Sequence, residues 1–219
     1  AIDSINPMDE SFDNALRGGV TAACTGPGSA NVVGGTFTTI KLAGNRVDNM
    51  IIRDAVAMKC AFGENPKRCY GQAGKKAPMT RMGTAALLRE LLMKTKRYIE
   101  DKENDKNPAF NMKLESMIPV LKKEMPLKAH AHRADDIFTA IRVAKEFGVK
   151  LTLDHCTDGS LIADELALEG LPAFVGPSLG SKSKIELKNK SFTTPNTLFE
   201  AGVPISIITD APVIPLQYL

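Results

Sequence analysis

The sequence predicts an α/β fold in which a parallel sheet is covered by helices. Of its residues, 43% are hydrophobic but only 5% are aromatic, a balance that suits aliphatic parallel strands better than an aromatic-rich sandwich. In the second half of the chain, short apolar runs alternate regularly with helical segments, which is typical of βα repetition. The length of 219 residues suits one large domain, so residues 1–219 are assigned to a single domain.

The first half of the chain predicts three strands among helices and loops. Residues 6–20 begin as a short helix, because Asn6 can cap it and Pro7 suits its first turn. A basic, turn-rich stretch at residues 64–81 predicts a long loop, and two helices follow it, the second containing Pro119. The three strand segments read VTAAC, GGTFTTIKL and DAVAMKCAFG.

The second half predicts four more strands, each followed by a turn or a helix. The first covers residues 127–131 and leads into a helix that has acids in its first turn and ends at Gly148. The other three strand segments read VKLTLD, PAFVG and VPISIITD. The predicted total is seven strands.

This count leaves more than one architecture open. A (β/α)8 barrel of the TIM type needs eight strands and a closing helix, whereas this chain opens on a helix and stops just after a strand. Seven strands in a parallel sheet would leave two unpaired edges. Either a doubly wound sheet or a piece of a longer barrel protein explains the count. A dinucleotide-binding sheet is disfavoured, because TGPGSANVVGG followed by TIKLAG lacks the expected acidic residue.

Composition argues against several kinds of partner. The net charge is only +3 and the basic residues are spread among nearly as many acids, so no nucleic-acid partner is predicted. No apolar stretch approaches the roughly 20 residues of a membrane span, and the N-terminus does not resemble a signal peptide. The four cysteines lack the density of a disulfide scaffold and the spacing of a zinc motif. We therefore expect reduced thiols and a cytoplasmic location.

All three histidines of the chain fall in one short stretch, each at the end of an apolar run. Because residues two apart share a face of a strand, His130 and His132 should lie on one face. The same alternation places His155 on the face of Leu153, away from Asp154. One histidine at a strand end is usually structural, but three at adjacent strand ends favour a functional site.

Lys59 and Asp210 complete a predicted metal site. Lys59 interrupts an apolar run, and Asp210 is the last residue of the final predicted strand. Catalytic groups of α/β barrels cluster at the carboxyl ends of strands, and neutral imidazoles with a carboxylate suit zinc. A bound cation lowers the pKa of its water to roughly 7. Asp210 could accept a proton from that water and return it to a leaving group.

Three other segments invite functional interpretations that are weaker. GPGSANVVGG could hold a phosphate, but it lacks the P-loop ending and is better explained as a turn. The basic loop at residues 64–81 could bind an anion, but a solvated loop is the better explanation. Cys156 should face the opposite way from His155, which argues against a cysteine nucleophile.

Three longer segments resemble the metal-dependent amidohydrolase superfamily, and within it the imidazolonepropionase-related branch. They read KAHAHRADDIFTAIRVAKEFGVKLTLDHCTDG, AMKCAFGENPKR and ITDAPVIP. The resemblance runs through nearly the whole chain. It implies a (β/α)8 barrel whose metals are held by an HxH on strand 1, a lysine on strand 4, histidines on strands 5 and 6 and an aspartate on strand 8. Such enzymes use metal-bound hydroxide to hydrolyse amide or other C–N bonds of small molecules.

Carried over to this sequence, the resemblance implies that Lys59, His130, His155 and Asp210 bind a divalent metal, with zinc expected. It also makes Asp210 the general base. His132 and Arg133 would contact the substrate, with His132 as a fallback metal ligand. No HxH precedes Ala1, and no further histidine exists to replace it. The expectation is an incomplete barrel, with strands 2 to 8 present and strand 1 and the closing helix missing.

Two consequences of an incomplete barrel are predicted. The isolated chain should have little or no activity, and its open edges favour pairing with a second copy or with missing segments of the same protein. The rival interpretation is a non-catalytic barrel module for binding or assembly, in which the histidines are structural. Substituting His130 and His155 with Asn separates the two, because only a metal site would lose its metal while the fold survives.

Overall fold

The centre of the molecule is a seven-stranded sheet in which strand order follows chain order. The structure, a computed structural model, describes residues 1–218, so Leu219 of the predicted domain lies outside the described residues. The strands are β1 (Ala22–Thr25), β2 (Val33–Lys41), β3 (Ile51–Ala61), β4 (Leu127–Ala131), β5 (Leu151–His155), β6 (Ala173–Val175) and β7 (Ile205–Ile207). Within residues 1–218, the predicted count of seven strands is confirmed.

Helices connect the strands and cover one side of the sheet. They are α1 (Glu10–Arg17), α2 (Val47–Met50), α3 (Glu64–Lys67), α4 (Arg81–Glu103), α5 (Met112–Leu121), α6 (Ala134–Phe147), α7 (Ala163–Glu169) and α8 (Thr194–Glu200). The predicted cap of the first helix is wrong, because Asp9 rather than Asn6 accepts the N–H of Ser11. The basic segment predicted as a loop contains α3 and a further helical turn at Arg68–Gln72.

Among residues 1–218, no helix combines the length and the apolar character that a membrane span requires.

The prediction of a parallel sheet holds only for part of the molecule. Strands β3 to β7 pair in parallel, but β1 with β2 and β2 with β3 are antiparallel. Residues 26–32 connect β1 to β2, and residues 42–50 connect β2 to β3. Both connections are shorter than the roughly dozen residues of a parallel crossover, so hairpin-like reversals replace the expected βα units.

The curled, mostly parallel sheet matches an incomplete barrel with two different faces. Along β4, Leu127, Ala129 and Ala131 belong to the main hydrophobic core, which is shared with the helices. The alternate residues Lys128 and His130 are also buried and project to the opposite, inner face. This inner face therefore collects the polar side chains that the strands carry. The specific (β/α)8 assignment stays a prediction.

Candidate metal centre

The three histidines meet at the carboxyl ends of β4 and β5. The ring centroids of His130, His132 and His155 lie 4.5 to 4.7 Å apart. One ligand nitrogen from each ring lies within 4.8 Å of the other two, and all three side chains are buried. The structure therefore gathers a group of histidines that could hold a metal ion. His132, predicted to contact substrate, is part of that group.

The position of His155 differs from the one that strand alternation predicts. Strict alternation would place His155 among the helix-side residues with Leu153, but its ring joins those of His130 and His132 on the inner face. The backbone φ is +75° at His155 and +46° at Cys156, so the strand ends in a left-handed turn that reverses the side-chain direction. Cys156 packs into the helix-side core, opposite His155 as predicted.

The environment of His130 fixes the protonation of its ring. Its Nδ1 lies 2.9 Å from Ser29 Oγ, and its Nε2 lies 3.2 Å from the Asn65 amide nitrogen. Lys184 Nζ donates to Asn65 Oδ1 over 2.7 Å, so the amide must present its N–H groups to His130. The His130 Nε2 is then an acceptor, and the ring proton lies on Nδ1, where it donates to Ser29.

His155 has the same tautomer for a different reason. Its Nδ1 donates to the carbonyl oxygen of Gly176 over 2.7 Å, which leaves the lone pair of its Nε2 free. The Nδ1 of His132 lies 2.8 Å from Thr157 Oγ1. Metal-bound histidines commonly orient themselves by such a hydrogen bond from the second ring nitrogen. The partners in this structure therefore hold the rings as a metal site requires.

Burial keeps these imidazoles neutral. Desolvation, with smaller contributions from His155 and His132, holds the pKa of His130 well below its ordinary value. Desolvation is also the main cause that lowers the pKa of His132 to about 2. The pKa of His155 is lowered by burial as well, although the charges of Asp154 and Asp210 oppose that shift. Neutral imidazole is the form that binds metals, so this chemistry fits a divalent ion.

Lys59 lies on the inner face, where it forms a buried ion pair with Asp154. Its Nζ donates to Asp154 Oδ2 over 2.7 Å, and Lys128 Nζ donates to Asp154 Oδ1 over 2.5 Å. All three side chains are buried. A lysine that ligates a metal must be uncharged or carboxylated, and a carbamate on Lys59 would place a second negative group against Asp154. The role of Lys59 as a ligand stays a prediction, and this ion pair opposes it.

Asp210 lies beyond the end of β7, the strand in which the sequence predicted it. Strand β7 ends at Ile207, so the prediction that Asp210 is the last strand residue is wrong. It is exposed in the following turn with a φ of +51°. It nevertheless lines the same cavity as His130 and His155, which brings its carboxylate to the site from outside the sheet.

Arg133 does not join the other predicted site residues. Its guanidinium binds the carboxylate of Asp135 through two contacts of 2.8 and 2.9 Å, and both side chains are substantially exposed. Within residues 1–218, Arg133 is not among the residues that line the histidine cavity. A substrate contact by Arg133 would require this pair to separate.

The histidines open into a cavity of about 580 Å³. Besides the three rings, its polar side chains include Ser29, Asn65, Thr157, Lys184, Lys190 and Asp210. Sequence reasoning found only the last of these. Asn65 and Thr157 each follow a predicted strand within a few residues, and that position could have identified them. Ser29, Lys184 and Lys190 come from loops, where no periodic pattern marks a side chain as facing the site.

A buried carboxylate, Glu186, lies beside the cavity. Its Oε2 accepts the backbone N–H of Glu64 over 2.9 Å. Within the described chain its Oε1 has no hydrogen-bond partner, and it lies 3.6 Å from Lys184 Nζ and 3.8 Å from His132 Nε2. Burial is the main cause that raises the pKa of Glu186. Glu186 thus places a weakly compensated carboxyl group directly against a ring of the histidine cluster.

Gly63 follows β3 directly and has little room for a side chain. A Cβ at this position would lie 2.7 Å from Glu186 Oε2 and 3.0 Å from Asp136 Oδ2, and the backbone φ is +76°. We therefore expect Gly63→Ala to lower the free energy of unfolding by about 2–4 kcal/mol, measured by urea denaturation. The comparison is Gly170→Ala, which has a φ of +63° and a left-handed helical ψ of 23° with no atom within 4 Å and should cost about 1–2 kcal/mol. The ψ of Gly63 is −138°, a conformation that residues other than glycine rarely adopt, so equal losses in the two variants would rule out both this backbone strain and the contact with the carboxylates.

Comparison with known proteins bears on the chemistry of this site. A crystal structure of an amidohydrolase from Thermotoga maritima MSB8 superposes with a TM-score of 0.96, at 44% identity over 99% of this chain. This chain is similar to amidohydrolases. It spans 58% of the chain in that crystal structure.

A second amidohydrolase matches more distantly. The amidohydrolase tasK of Hapsidospora irregularis is 23% identical over 249 residues, which is 100% of this chain and 25% of tasK. No protein-family model matches the chain. These two matches support the predicted amidohydrolase superfamily, while the imidazolonepropionase-related branch stays a prediction.

Proposed function

We propose that the protein containing this chain is a metal-dependent hydrolase of amide C–N bonds, including those of cyclic amides, in small molecules. The observation that carries the proposal is the buried group of His130, His132 and His155 in a chain homologous to amidohydrolases. These homologues do not favour the rival interpretation of a non-catalytic module. A zinc ion is the proposed metal, because neutral imidazoles are its common ligands. A cytoplasmic location stays a prediction.

The proposed roles follow from the positions of the side chains. His130 and His155 would each offer Nε2 to the metal, because Nδ1 of each ring donates to a neighbour. Asn65, which now donates to His130 Nε2, would have to turn away. His132 joins the same cluster and is a further candidate ligand, whereas Lys59 would first have to leave Asp154. The chemistry that a bound divalent metal supplies is Lewis-acid activation of water and of the amide carbonyl.

Asp210 is proposed to transfer the proton. Its exposed carboxylate lines the cavity and can reach solvent water as well as a bound amide. Asp210 would accept a proton from the attacking water as the C–O bond forms. It would then return this proton to the nitrogen as the C–N bond breaks, giving a carboxylic acid and an amine. General acid–base transfer of this kind contributes about 10²–10⁴-fold to rate.

The decisive experiment measures metal content and hydrolysis together. Elemental analysis of the purified protein should find zinc or another divalent metal, and a panel of linear and cyclic amides should include at least one substrate. A chelator should abolish hydrolysis, and added zinc should restore it. Asp210→Asn should lower kcat by about 10²–10⁴-fold, and the protein should still bind metal through its histidines, even though Asp210 was also predicted as a ligand. Hydrolysis that is indifferent to the chelator, or a protein that binds no divalent metal, would overturn the proposal.

A further inference from the structure

We propose that the substrate carries a carboxylate, which Lys184 and Lys190 bind in the wall of the histidine cavity. This inference rests on the proposed function, since the cavity is that of the proposed active site. Both ammonium groups belong to residues that line the cavity. Among the described residues, neither ammonium group donates a hydrogen bond to a carboxylate.

Lys190 holds a positive charge that no carboxylate balances. Its Nζ donates to the carbonyl oxygen of Leu179 over 3.0 Å. Within residues 1–218, no carboxylate oxygen lies within 4.0 Å of this ammonium. An ammonium has three donors, so two N–H groups remain for a ligand. Partial burial of the side chain lowers the pKa of Lys190, as expected for a charge that has left water without gaining a counter-ion.

Lys184 is placed between the cavity and the histidines. Its Nζ donates to Asn65 Oδ1 over 2.7 Å, and Asn65 in turn contacts His130. Its closest carboxylate oxygen, Glu186 Oε1, is 3.6 Å away and receives no hydrogen bond from it. Two of its three N–H donors are therefore also available. An anion bound here would lie one side chain away from the proposed metal ligand His130.

The two ammonium groups act on the same region of the cavity. Lys184 Nζ lies 3.6 Å from Glu186 Oε1, which is itself 3.8 Å from His132 Nε2. Lys184, Lys190 and His132 all line the same cavity. A carboxylate that reaches both ammonium groups would gain two charge-assisted hydrogen bonds, which are stronger than one.

The charges that line the cavity are otherwise unbalanced. Among residues 1–218, Asp210 is the one carboxylate that lines it, and the proposed mechanism uses this group for proton transfer. Glu186 is buried and does not line the cavity. A neutral substrate would leave Lys190 without a counter-ion and Lys184 with only the Glu186 carboxylate at 3.6 Å, whereas a carboxylate would add charge balance to both. The hydroxyl-bearing residues Ser181 and Ser183 line the same wall and offer further donors.

Lys182 lies on the same loop and provides a matched control. Its Nζ donates to the carbonyl oxygen of Lys188 over 2.7 Å, and its side chain is exposed. Lys182 does not line the cavity. Replacing it removes the same charge from the same loop without touching the proposed binding position. A general effect of net charge on anion binding would therefore appear in Lys182→Met as strongly as in the test variants.

The test compares two series of probes that differ only in charge. N-acetylglycine, 3-acetamidopropionate and 4-acetamidobutyrate are titrated by calorimetry into the metal-free protein, alongside their neutral primary amides. At least one carboxylate should bind more tightly than its amide by about tenfold or more. Lys184→Met and Lys190→Met should each remove about tenfold of this affinity and leave the neutral probe unchanged. Lys182→Met should bind like the native protein.

Three outcomes would overturn the inference. They are equal affinity for carboxylates and amides, no binding of any carboxylate at millimolar concentration, and an equal loss in Lys182→Met. If Lys190→Met does not fold, as judged by circular dichroism, Lys190→Arg and Lys190→Gln replace it, and only the arginine variant should retain binding. Because the protein is metal-free, the result does not depend on hydrolysis. Carboxylate preference without zinc-dependent hydrolysis would refute only the proposed function, and the reverse result would refute only this inference.

Discussion

Asp154→Asn is expected to lower the free energy of unfolding by about 3–5 kcal/mol. Asp154 accepts hydrogen bonds from the ammonium groups of Lys59 and Lys128, and all three side chains are buried. Burial alone would raise the pKa of Asp154, but the two lysine charges outweigh it and hold the pKa below its ordinary value. The asparagine keeps the shape of the side chain but leaves two buried cations without a counter-ion.

Urea denaturation of Asp154→Asn should show this loss as a lower midpoint. The control is Glu146→Gln, which removes a surface pair with Arg89 that has the same 2.7 Å separation. Exposed pairs contribute at most about 1 kcal/mol, so this control should be nearly native. If Asp154→Asn were no more destabilising than Glu146→Gln, the buried network would not hold the inner face together.

His155→Asn is expected to weaken zinc binding by more than about 100-fold while the fold survives. Loss of a group that only orients a ligand costs about 10–100-fold in affinity, and here a proposed ligand is removed. Asparagine suits this position, because the backbone φ is +75° and asparagine tolerates positive φ better than most residues. The affinity is measured by competition with a chromophoric chelator, and the fold by thermal denaturation.

Asp135→Asn provides the control for the zinc titration. This carboxylate pairs with Arg133 at the surface and does not line the cavity, so its loss should leave zinc affinity unchanged. A His155→Asn variant with native zinc affinity and a lower melting temperature would identify His155 as a structural residue. The proposed metal centre would then lose its main support.

The apolar periodicity of the sequence was sufficient to place every strand, because each strand carries its own short hydrophobic run. Periodicity could not give the directions of the first three strands, since the sequence patterns of β1, β2 and β3 are the same for parallel and antiparallel pairing. The lengths of the connecting segments 26–32 and 42–50 did contain that information. A short connection cannot carry a crossover helix, so the lengths of these two segments predict antiparallel pairs.

The site was predictable where it follows strand alternation. Lys128 and His130 lie on the inner face, as alternation requires, and Lys59, for which alternation left both faces open, lies there as well. The alternation rule fails at His155, because the positive φ of this residue reverses the direction of its side chain. The partner of Lys59 was also hidden, since Asp154 is 95 residues away along the chain and only the parallel pairing of the strands brings them together.

Loops supplied the rest of the site. Glu186 and Lys184 lie on or next to a single turn of 3-10 helix at Ile185–Leu187, in a segment whose sequence reads as a solvated, basic stretch. Nothing in that local pattern distinguishes a buried carboxylate from an exposed one. Its burial depends on Gly63, which leaves room for the Glu186 carboxylate.

The buried network of Lys59, Asp154 and Lys128 carries two positive charges and one negative charge. The network therefore has one net positive charge, which adds to the charges of Lys184 and Lys190. Because the network is buried in surroundings of low dielectric constant, solvent screens this charge only weakly. Even when the carboxylates of Asp210 and Glu186 are included, these groups leave a net positive charge, so the field at the mouth of the cavity should draw anions towards the histidines before any contact forms. The rate at which an anionic molecule arrives then depends on ionic strength and is fastest in dilute salt.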